Sequence, residues 1–346
     1  MAFSFSQLRI PVIAAPMAGG VNTPALAAAV ANAGGVGSFG FAYSAPERIE
    51  ADLVATKKLT SGPINANFFV FSPVVMPDAD LQQAALLALR ELPNTEHCNL
   101  QIPKSPYFPD LNRLLEPVWR QQPAILTFHF GIPSAEILGQ AKSLGISVGI
   151  TATSLTEALA IEAAGADFVV AQGIEAGGHR GIFNPDAADE ALSVEALVRQ
   201  LAGELAIPVV AAGGLMTGQA VRRVLNAGAS AAQLGTAFLC CDESGASSAH
   251  KAYLRDEGAR GTVLTKAFSG RPARGIQNAF IRQMRGRDVL PFPVQNTMTS
   301  PIRSLALQRN DGEYQSLWAG TAYAQTRSMS ASALMETLSR ELTAES

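Results

Sequence analysis

The stretch AAGADFVVAQGIEAGGHRG (163–181) contains, in order, the end of a helix, a buried strand and a glycine-rich loop. Gly165 follows an alanine-rich run and can adopt the left-handed backbone conformation that ends many helices. The next residues, FVVAQ (168–172), are apolar on both faces, which is typical of a parallel strand covered on both sides. The loop after this strand combines an acid, a histidine and an arginine with several glycines. Loops in this position carry the binding and catalytic groups of many α/β proteins.

The same pattern recurs along the chain. Helix ends that resemble AAGAD (163–167) occur at NAGG (32–35), SLG (143–145) and NAGAS (226–230). They alternate with eight β-rich runs, which are PVIAA (11–15), VGSFGF (36–41), INANFFV (64–70), AILTFHF (124–130), ISVGIT (146–151), DFVVAQ (167–172), IPVVAA (207–212) and AAQLGTAF (231–238). Eight units of strand followed by helix predict an α/β protein with a (β/α)8 TIM barrel. An open, doubly wound sheet is the alternative fold.

Helix starts and additional segments complete the predicted organisation. Thr23-Pro24, the capping box from Ser154 to Glu157, and Thr217 or Gly218 each indicate the start of a helix. Residues 72–123 form a predicted insertion after the third strand, with helices at 79–92 and 111–121. Residues 245–346 form a predicted C-terminal helical extension, with helices at 246–257 and 315–344 and an irregular stretch at 268–301. No linker composition separates them, so we expect residues 1–346 to form a single domain with both segments at the barrel mouth.

Composition excludes several classes of protein. The 346 residues are 48% hydrophobic and 16% charged, which argues against disorder and provides a large core. A net charge of −3 without basic clusters argues against nucleic acid and anionic membranes as partners. No signal peptide or membrane-spanning apolar run is recognisable. The three cysteines, Cys98, Cys240 and Cys241, lack metal or CxxC spacing, and we expect no metal site and a reducing cytoplasm. The oligomeric state is open between monomer and homodimer.

Small and polar residues follow the first and third predicted strands, at the mouth where barrels place their chemistry. The turn at Met17 and Ala18 has small neighbours, so a flat ligand could approach its backbone, although a tight turn alone would also explain it. Asn65 and Asn67 point to the same side of their strand. Asn67 is nearer the mouth and is the better ligand candidate, whereas a hydrogen bond inside the core is the simpler alternative.

The loops after the seventh and eighth predicted strands indicate a phosphate site. Gly213 and Gly214 follow the seventh strand, and Gly235 and Thr236 follow the eighth. Glycines expose backbone N–H groups, and barrels often bind phosphate between these two loops. By contrast, the GxGxxG pattern at 35–40 follows a helix and lies within the second strand. It is therefore not a dinucleotide-binding turn, and its glycines indicate close packing.

The four histidines lie in different parts of the predicted fold. His129 ends the fourth predicted strand and could face the barrel interior near the mouth or be a core histidine. His97 and His250 lie in the insertion and the extension, and neither receives a role. His179 lies in the glycine-rich loop after the sixth strand.

The motifs AAPMAGG (14–20), NANFF (65–69), FHFGIP (128–133), QGIEAGGHRG (172–181), AAGG (211–214) and QLGT (233–236) resemble the nitronate monooxygenase family, formerly called 2-nitropropane dioxygenases, and its bacterial class I branch in particular. The resemblance extends from about residue 8 to residue 325. It implies an FMN-dependent TIM barrel, which agrees with the fold and phosphate site deduced from the residues themselves.

The resemblance also implies roles for individual residues. Met17 and Ala18 would lie against the flavin, Asn67 and Gln172 would bond its polar edge, and Gly177 and Gly178 would pack close to it. The phosphate would be held by Gly213, Gly214, Gln233, Leu234, Gly235 and Thr236. His179 would be the catalytic residue above the flavin. Aromatic residues complete the substrate site in this family, and the candidates here are Tyr107, Tyr314 and Trp318, with His129 beside them.

The implied reaction is the oxidation of alkyl nitronates, such as propionate 3-nitronate, by O2 to a carbonyl compound and nitrite through a flavin semiquinone. His179 would either balance the charge of the nitronate or remove a proton from the nitroalkane. Arg180 is excluded from the catalytic set. An FMN-dependent NAD(P)H reductase of the enoyl-acyl-carrier-protein or quinone reductase type is the main alternative. An accessory FMN-binding subunit and a sugar-phosphate isomerase are less favoured.

Overall fold

Eight parallel strands form the barrel in a computed structural model that describes residues 3–93, 95–256 and 260–344. Each of the eight predicted runs contains a strand, and the order around the sheet is β1-β9-β8-β6-β5-β4-β3-β2. The strands are β1 (Val12–Ala14), β2 (Gly37–Gly40), β3 (Ile64–Phe69), β4 (Ile125–His129), β5 (Ser147–Ala152), β6 (Phe168–Gln172), β8 (Val209–Ala212) and β9 (Ala231–Leu234). A parallel bridge between Ile13 and Val36 joins β1 to β2 and closes the barrel. The predicted (β/α)8 TIM barrel is thus confirmed.

Eight helices surround this barrel. Those that follow successive barrel strands are α1 (Pro24–Asn32), α2 (Pro46–Lys57), α4 (Leu111–Gln121), α5 (Ala135–Ser143), α6 (Leu155–Ala163), α7 (Val194–Glu204), α8 (Gly218–Asn226) and α12 (Ala331–Thr343). The last of them, α12, packs between α8 and α1 and buries Leu334, Met335 and Leu338 in the main core. The C-terminal extension therefore ends in the eighth helix of the barrel itself. Of the predicted insertion, α4 also belongs to this outer ring, against α2.

Local signals in the sequence explain where these helices begin and end. The Thr23 and Thr217 hydroxyls accept hydrogen bonds from the N–H groups of Leu26 and Ala220, as expected for N-caps. At α6 the Ser154 hydroxyl accepts from the Glu157 N–H at 3.3 Å, as the predicted capping box requires, whereas the Glu157 carboxylate accepts from the Thr153 N–H at 2.6 Å rather than from that of Ser154. Gly34, Gly145, Gly165 and Gly228, which end the four predicted helices, have φ values between +70° and +112°.

The remaining elements cover one side of the barrel mouth. They are α3 (Ala79–Arg90), α9 (Ser248–Leu254), α10 (Ala279–Gln283) and α11 (Val294–Gln308), together with three short antiparallel strands, β7 (Gly178–His179), β10 (Thr262–Thr265) and β11 (Ala273–Ile276). A second hydrophobic core joins α3 of the insertion to α10 and α11 of the extension. Among the described helices, none is both long enough and apolar enough to cross a membrane.

Three boundaries differ from the predictions. Residues 236–238 form a short 3-10 helix, so the eighth barrel strand ends at Leu234. The stretch 268–301 is not irregular, because it contains β11, α10 and the start of α11. Residues 315–330 are not helical apart from a short turn, because the backbone of Leu317 and Ala319 bonds instead to β11. Such pairing between distant segments has no local sequence signal.

Candidate active site

A cavity of ≈ 450 Å³ opens at the carboxyl ends of the barrel strands. Its size lies within the range of about 300–1,000 Å³ that is usual for small-molecule and cofactor sites. Most of the residues singled out in the sequence line it. These are Met17, Ala18, Asn67, His129, Gln172, Gly177, Gly178, His179, Gly213, Gly214, Gln233, Gly235, Thr236 and Trp318.

Three predicted residues do not line this cavity. Leu234 faces the main core with 1% of its surface exposed, because side chains alternate along β9 and Gln233 takes the inward direction. Tyr107 and Tyr314 pack against the second core, between the insertion and the extension. The Tyr314 hydroxyl donates to the Gln283 side chain at 3.0 Å. The structure therefore places both tyrosines against the second core, outside the lining of this cavity.

His179 is fixed by a strand pair and by a serine. In β7 it pairs with Ala273 of β11, so the extension holds the glycine-rich loop. Its Nε2 atom lies 2.9 Å from the Ser269 hydroxyl, which itself donates to the Arg271 carbonyl at 3.1 Å. Because the hydroxyl can give its one proton to the Arg271 carbonyl, which only accepts, we infer that Nε2 of His179 carries the ring proton. Nδ1 is then an unprotonated acceptor, and it has no partner among the residues that the structure describes.

The histidines of the cavity are neutral at pH 7. Burial lowers the pKa of His179 to about 3, and the nearby His129, Arg271 and Arg303 add to this effect. Burial likewise lowers the pKa of His129 to about 4, and its Nε2 donates to the His179 carbonyl at 3.2 Å. A neutral imidazole can accept a proton, but it cannot supply the full positive charge that balances an anion.

Gln172 and Arg180 hold the loop in place. The Gln172 side chain accepts from the Gly181 N–H at 2.7 Å and donates to the His179 carbonyl at 3.0 Å. Arg180 is 3% exposed, donates to the Gln172 carbonyl, and forms a two-pronged ion pair with Asp189 at 2.7 and 2.9 Å. Arg180 therefore supports the loop from behind and does not line the cavity.

Aromatic rings surround the His179 imidazole. The ring centroids of Phe69, Phe130, Phe292 and Trp318 lie between 5.7 and 6.0 Å from that of His179. Phe130 has φ +77°, an unusual value for a residue with a side chain, and the Arg271 guanidinium lies 3.9 Å from its ring centroid. This enclosure explains the burial that keeps His179 neutral.

The loops after β8 and β9 expose unused donors to the cavity. The N–H groups of Gly213, Gly214, Gly235 and Thr236 make no hydrogen bond within the part of the chain that the structure describes. Gly214 has φ +67°, and a Cβ atom there would lie 2.9 Å from the Glu175 side chain. Four unsatisfied donors at the ends of two adjacent strands form a cradle suited to an anion such as a phosphate.

Another wall is built from backbone and amide groups. A Cβ atom on Gly40 would lie 2.6 Å from the Ala18 nitrogen, so this glycine lets the turn at Met17 and Ala18 approach β2. The Asn67 amide donates to the Thr127 hydroxyl at 3.0 Å and to the Thr127 carbonyl at 3.2 Å. Its oxygen has no partner in the described residues, and it is available to a ligand N–H at the cavity.

Several cavity residues were missed in the sequence. Tyr43 lines the cavity directly after β2, a loop that carried no glycine cluster or recognisable motif. His250 also lines it, and its Nε2 donates to the Trp318 carbonyl at 3.1 Å. One face of α11 contributes Asn296, Ser300, Arg303, Ser304 and Leu307. Their spacing of three or four residues is a helical signal that begins within the stretch 268–301, which the sequence otherwise predicts to be irregular.

Comparison with known proteins identifies the family of this chain. The family model described as nitronate monooxygenase matches residues 3–341. A nitronate monooxygenase of Paraburkholderia phytofirmans is 41% identical to this chain, and the match covers 96% of this chain and 92% of that protein. A nitronate monooxygenase of Pseudomonas aeruginosa is also 41% identical, and the match covers 96% of each of the two chains. The solved structure of a nitroalkane oxidase from Streptomyces ansochromogenes is 37% identical, with a TM-score of 0.91 over 98% of this chain and 97% of that one. The chain therefore belongs to the nitronate monooxygenase family and is an oxidoreductase enzyme.

Proposed function

We propose that the protein is an FMN-dependent nitronate monooxygenase, which uses O2 to convert alkyl nitronates into carbonyl compounds and nitrite. The observation that carries the proposal is the position of a neutral His179 in the same cavity as a cradle of unpaired backbone donors. The membership of the chain in the nitronate monooxygenase family supports the same reaction.

The residues of the cavity fit FMN. The cradle of Gly213, Gly214, Gly235 and Thr236 suits the phosphate, since its four backbone N–H groups make no hydrogen bond within the described residues. The free oxygen of Asn67 and the Ala18 N–H, which makes no hydrogen bond in the described part of the chain, suit the polar edge of a flat ring. When bound, FMN would supply the electron transfer and the reaction with O2.

The protein side chains would position the substrate and handle protons. Ser269 accepts from Nε2 of His179, so Nδ1 is the atom that can take the α-proton from a nitroalkane. Gln172 and Arg180 keep the loop of His179 in place, and the rings of Phe69 and Trp318 help to keep water away from the imidazole. Of the two roles considered for His179, we favour that of a base, because its Nδ1 atom has no hydrogen-bond partner among the described residues.

Anaerobic mixing tests the proposal against a reductase. The purified protein, loaded with FMN, is mixed without O2 with either ethylnitronate or NADPH, and the flavin absorbance is followed. We expect ethylnitronate to bleach the flavin rapidly and NADPH to leave it oxidised. Bleaching by NADPH together with no response to ethylnitronate would identify a reductase and overturn the proposal.

A further inference from the structure

The charged groups that line the cavity are unevenly distributed. Among the residues that the structure describes, the lining includes three histidines and Arg303, but no aspartate or glutamate. His129, His179 and His250 have pKa values lowered by burial and are neutral at pH 7. Arg303 therefore supplies the full positive charge in this lining.

The hydrogen bonds of Arg303 leave part of its guanidinium free. One terminal nitrogen, Nη2, donates to the Asn296 carbonyl at 2.7 Å and to the Asn296 side chain at 3.1 Å, and Nε donates to Thr299 at 3.3 Å. All three bonds are to its own helix, α11, which holds the side chain in place. The other terminal nitrogen, Nη1, has no partner, and Arg303 forms no ion pair with a carboxylate in the described part of the chain.

The surroundings of Arg303 connect it to His179. Ser300 and Ser304 lie one turn of α11 apart and line the cavity beside it. The ring of Tyr43 lies 5.6 Å from that of Phe69, which in turn lies 6.0 Å from His179. The positive charge of Arg303 affects both Tyr43 and His179. It opposes the rise in the pKa of Tyr43 that burial causes, and it contributes to the low pKa of His179.

We propose that Arg303 binds an anionic oxygen group of the substrate and is the residue that makes this cavity selective for anions. The inference rests on the proposed function for the identity of the substrate. A guanidinium with two unused protons, held by its own helix, is suited to a nitronate or carboxylate group because both present two oxygens to it. Because His179 is neutral, Arg303 is the residue that balances the charge of the substrate, and His179 acts as the base.

Three substrates of similar length test the inference. The kcat/KM values are measured for 1-nitropropane, which is uncharged, for propyl-1-nitronate, which has one anionic group, and for propionate 3-nitronate, which has two. In Arg303→Met, we expect kcat/KM for at least one nitronate to fall about tenfold or more, because a charge-assisted hydrogen bond contributes about 1.5–3 kcal/mol. We expect kcat/KM for 1-nitropropane to change little. If kcat/KM falls for both nitronates, the nitronate group is the one that Arg303 binds. If kcat/KM falls for propionate 3-nitronate alone, Arg303 binds the carboxylate. Unchanged values for both would overturn the inference.

Matched variants separate charge from structure. Arg303→Lys keeps the charge and should recover part of the loss, whereas Arg309→Met removes an arginine from the end of the same helix and should behave as wild type. Circular dichroism and thermal melting check that each variant is folded, and Arg303→Gln replaces the methionine variant if that one does not fold.

A binding measurement separates this inference from the proposed function. Titration calorimetry of the FMN-loaded protein with sodium nitrite and with sodium propionate measures anion binding without turnover. We expect Arg303→Met to raise the Kd of at least one of these anions about tenfold or more relative to wild type and to Arg309→Met. Equal Kd values would contradict the role of Arg303 even in an active enzyme. Weaker binding in a protein that oxidises no nitronate would support Arg303 and reject the proposed function.

Discussion

The Nε2 atom of His179 lies 2.9 Å from the Oγ atom of Ser269, across the contact between the glycine-rich loop and the C-terminal extension. Because the same hydroxyl can donate to the Arg271 carbonyl, we infer that the serine accepts from the imidazole. This contact determines which ring nitrogen of His179 remains free. A residue from a segment outside the barrel thus sets the chemistry of a residue in a barrel loop.

Replacement of this serine tests the contact. In Ser269→Ala, Nε2 loses its acceptor and both neutral tautomers become accessible, so we expect kcat/KM for nitroethane to fall about tenfold, in line with the loss of one buried hydrogen bond. The ring ¹⁵N shifts of His179 should change from a single Nε2–H form to a mixture. Ser143→Ala, on the exposed end of α5, is the control. A wild-type rate in Ser269→Ala would show that the tautomer is set elsewhere.

Replacement of the histidine distinguishes its two possible roles. In His179→Asn, we expect FMN to remain bound and kcat/KM for nitroethane to fall about 100-fold, the usual contribution of a general base. Ethylnitronate needs no deprotonation, and its kcat/KM should fall much less. Steady-state kinetics with both substrates measure this difference. Equal losses for the two would indicate that His179 acts on the anion rather than as a base.

The buried His250 should make stability depend on pH. Burial lowers its pKa from 6.5 to about 4, so below pH 6.5 the unfolded chain takes up a proton that the folded protein does not. The free energy of unfolding should therefore fall with decreasing pH between these values, by about 1.4 kcal/mol per pH unit from this residue. His250→Gln keeps a donor for the Trp318 carbonyl but does not titrate. Urea unfolding at pH 7, 6 and 5 should show a shallower decline in this variant, and parallel declines would contradict the assignment.

The cradle after β8 can be tested with a bulky side chain. In Gly214→Val, a Cβ would meet Glu175 at 2.9 Å and the positive φ would become unfavourable, so we expect the purified protein to lose its flavin absorbance. Gly139→Ala is the matched control, because Gly139 lies within α5 with open space around it. Full flavin content in Gly214→Val would place the phosphate elsewhere.

The barrel could be predicted from the sequence because each strand and helix carries its own local signal. Gly165 and the run FVVAQ (168–172) indicate a helix end and a strand within ten residues. Similar helix ends occur at three other helices, and the unit of strand followed by helix repeats eight times. The loops of Gly213 to Gly214 and Gly235 to Thr236 could likewise be assigned to the mouth, since the position of a loop follows from the position of its strand.

The extension could not be predicted to the same degree. Ser269 reaches His179 through the pairing of β11 with β7, which are more than ninety residues apart, and no short motif indicates such a contact. Tyr107 and Tyr314 were expected near the substrate because they are aromatic, but aromatic residues pack equally well in a core, and that is where these two lie. Arg303 carries no local signal for a site, because the sequence predicts an irregular stretch up to residue 301, where the structure has the first half of α11.

Oxygen uptake with ethylnitronate tests the central claim most directly. The FMN-loaded protein is placed in an oxygen electrode with ethylnitronate, with and without NADPH, and nitrite is measured in the same sample. The account predicts that O2 is consumed and nitrite is released at the same rate whether or not NADPH is present. An absence of O2 uptake with the nitronate, or uptake that requires NADPH, would contradict it.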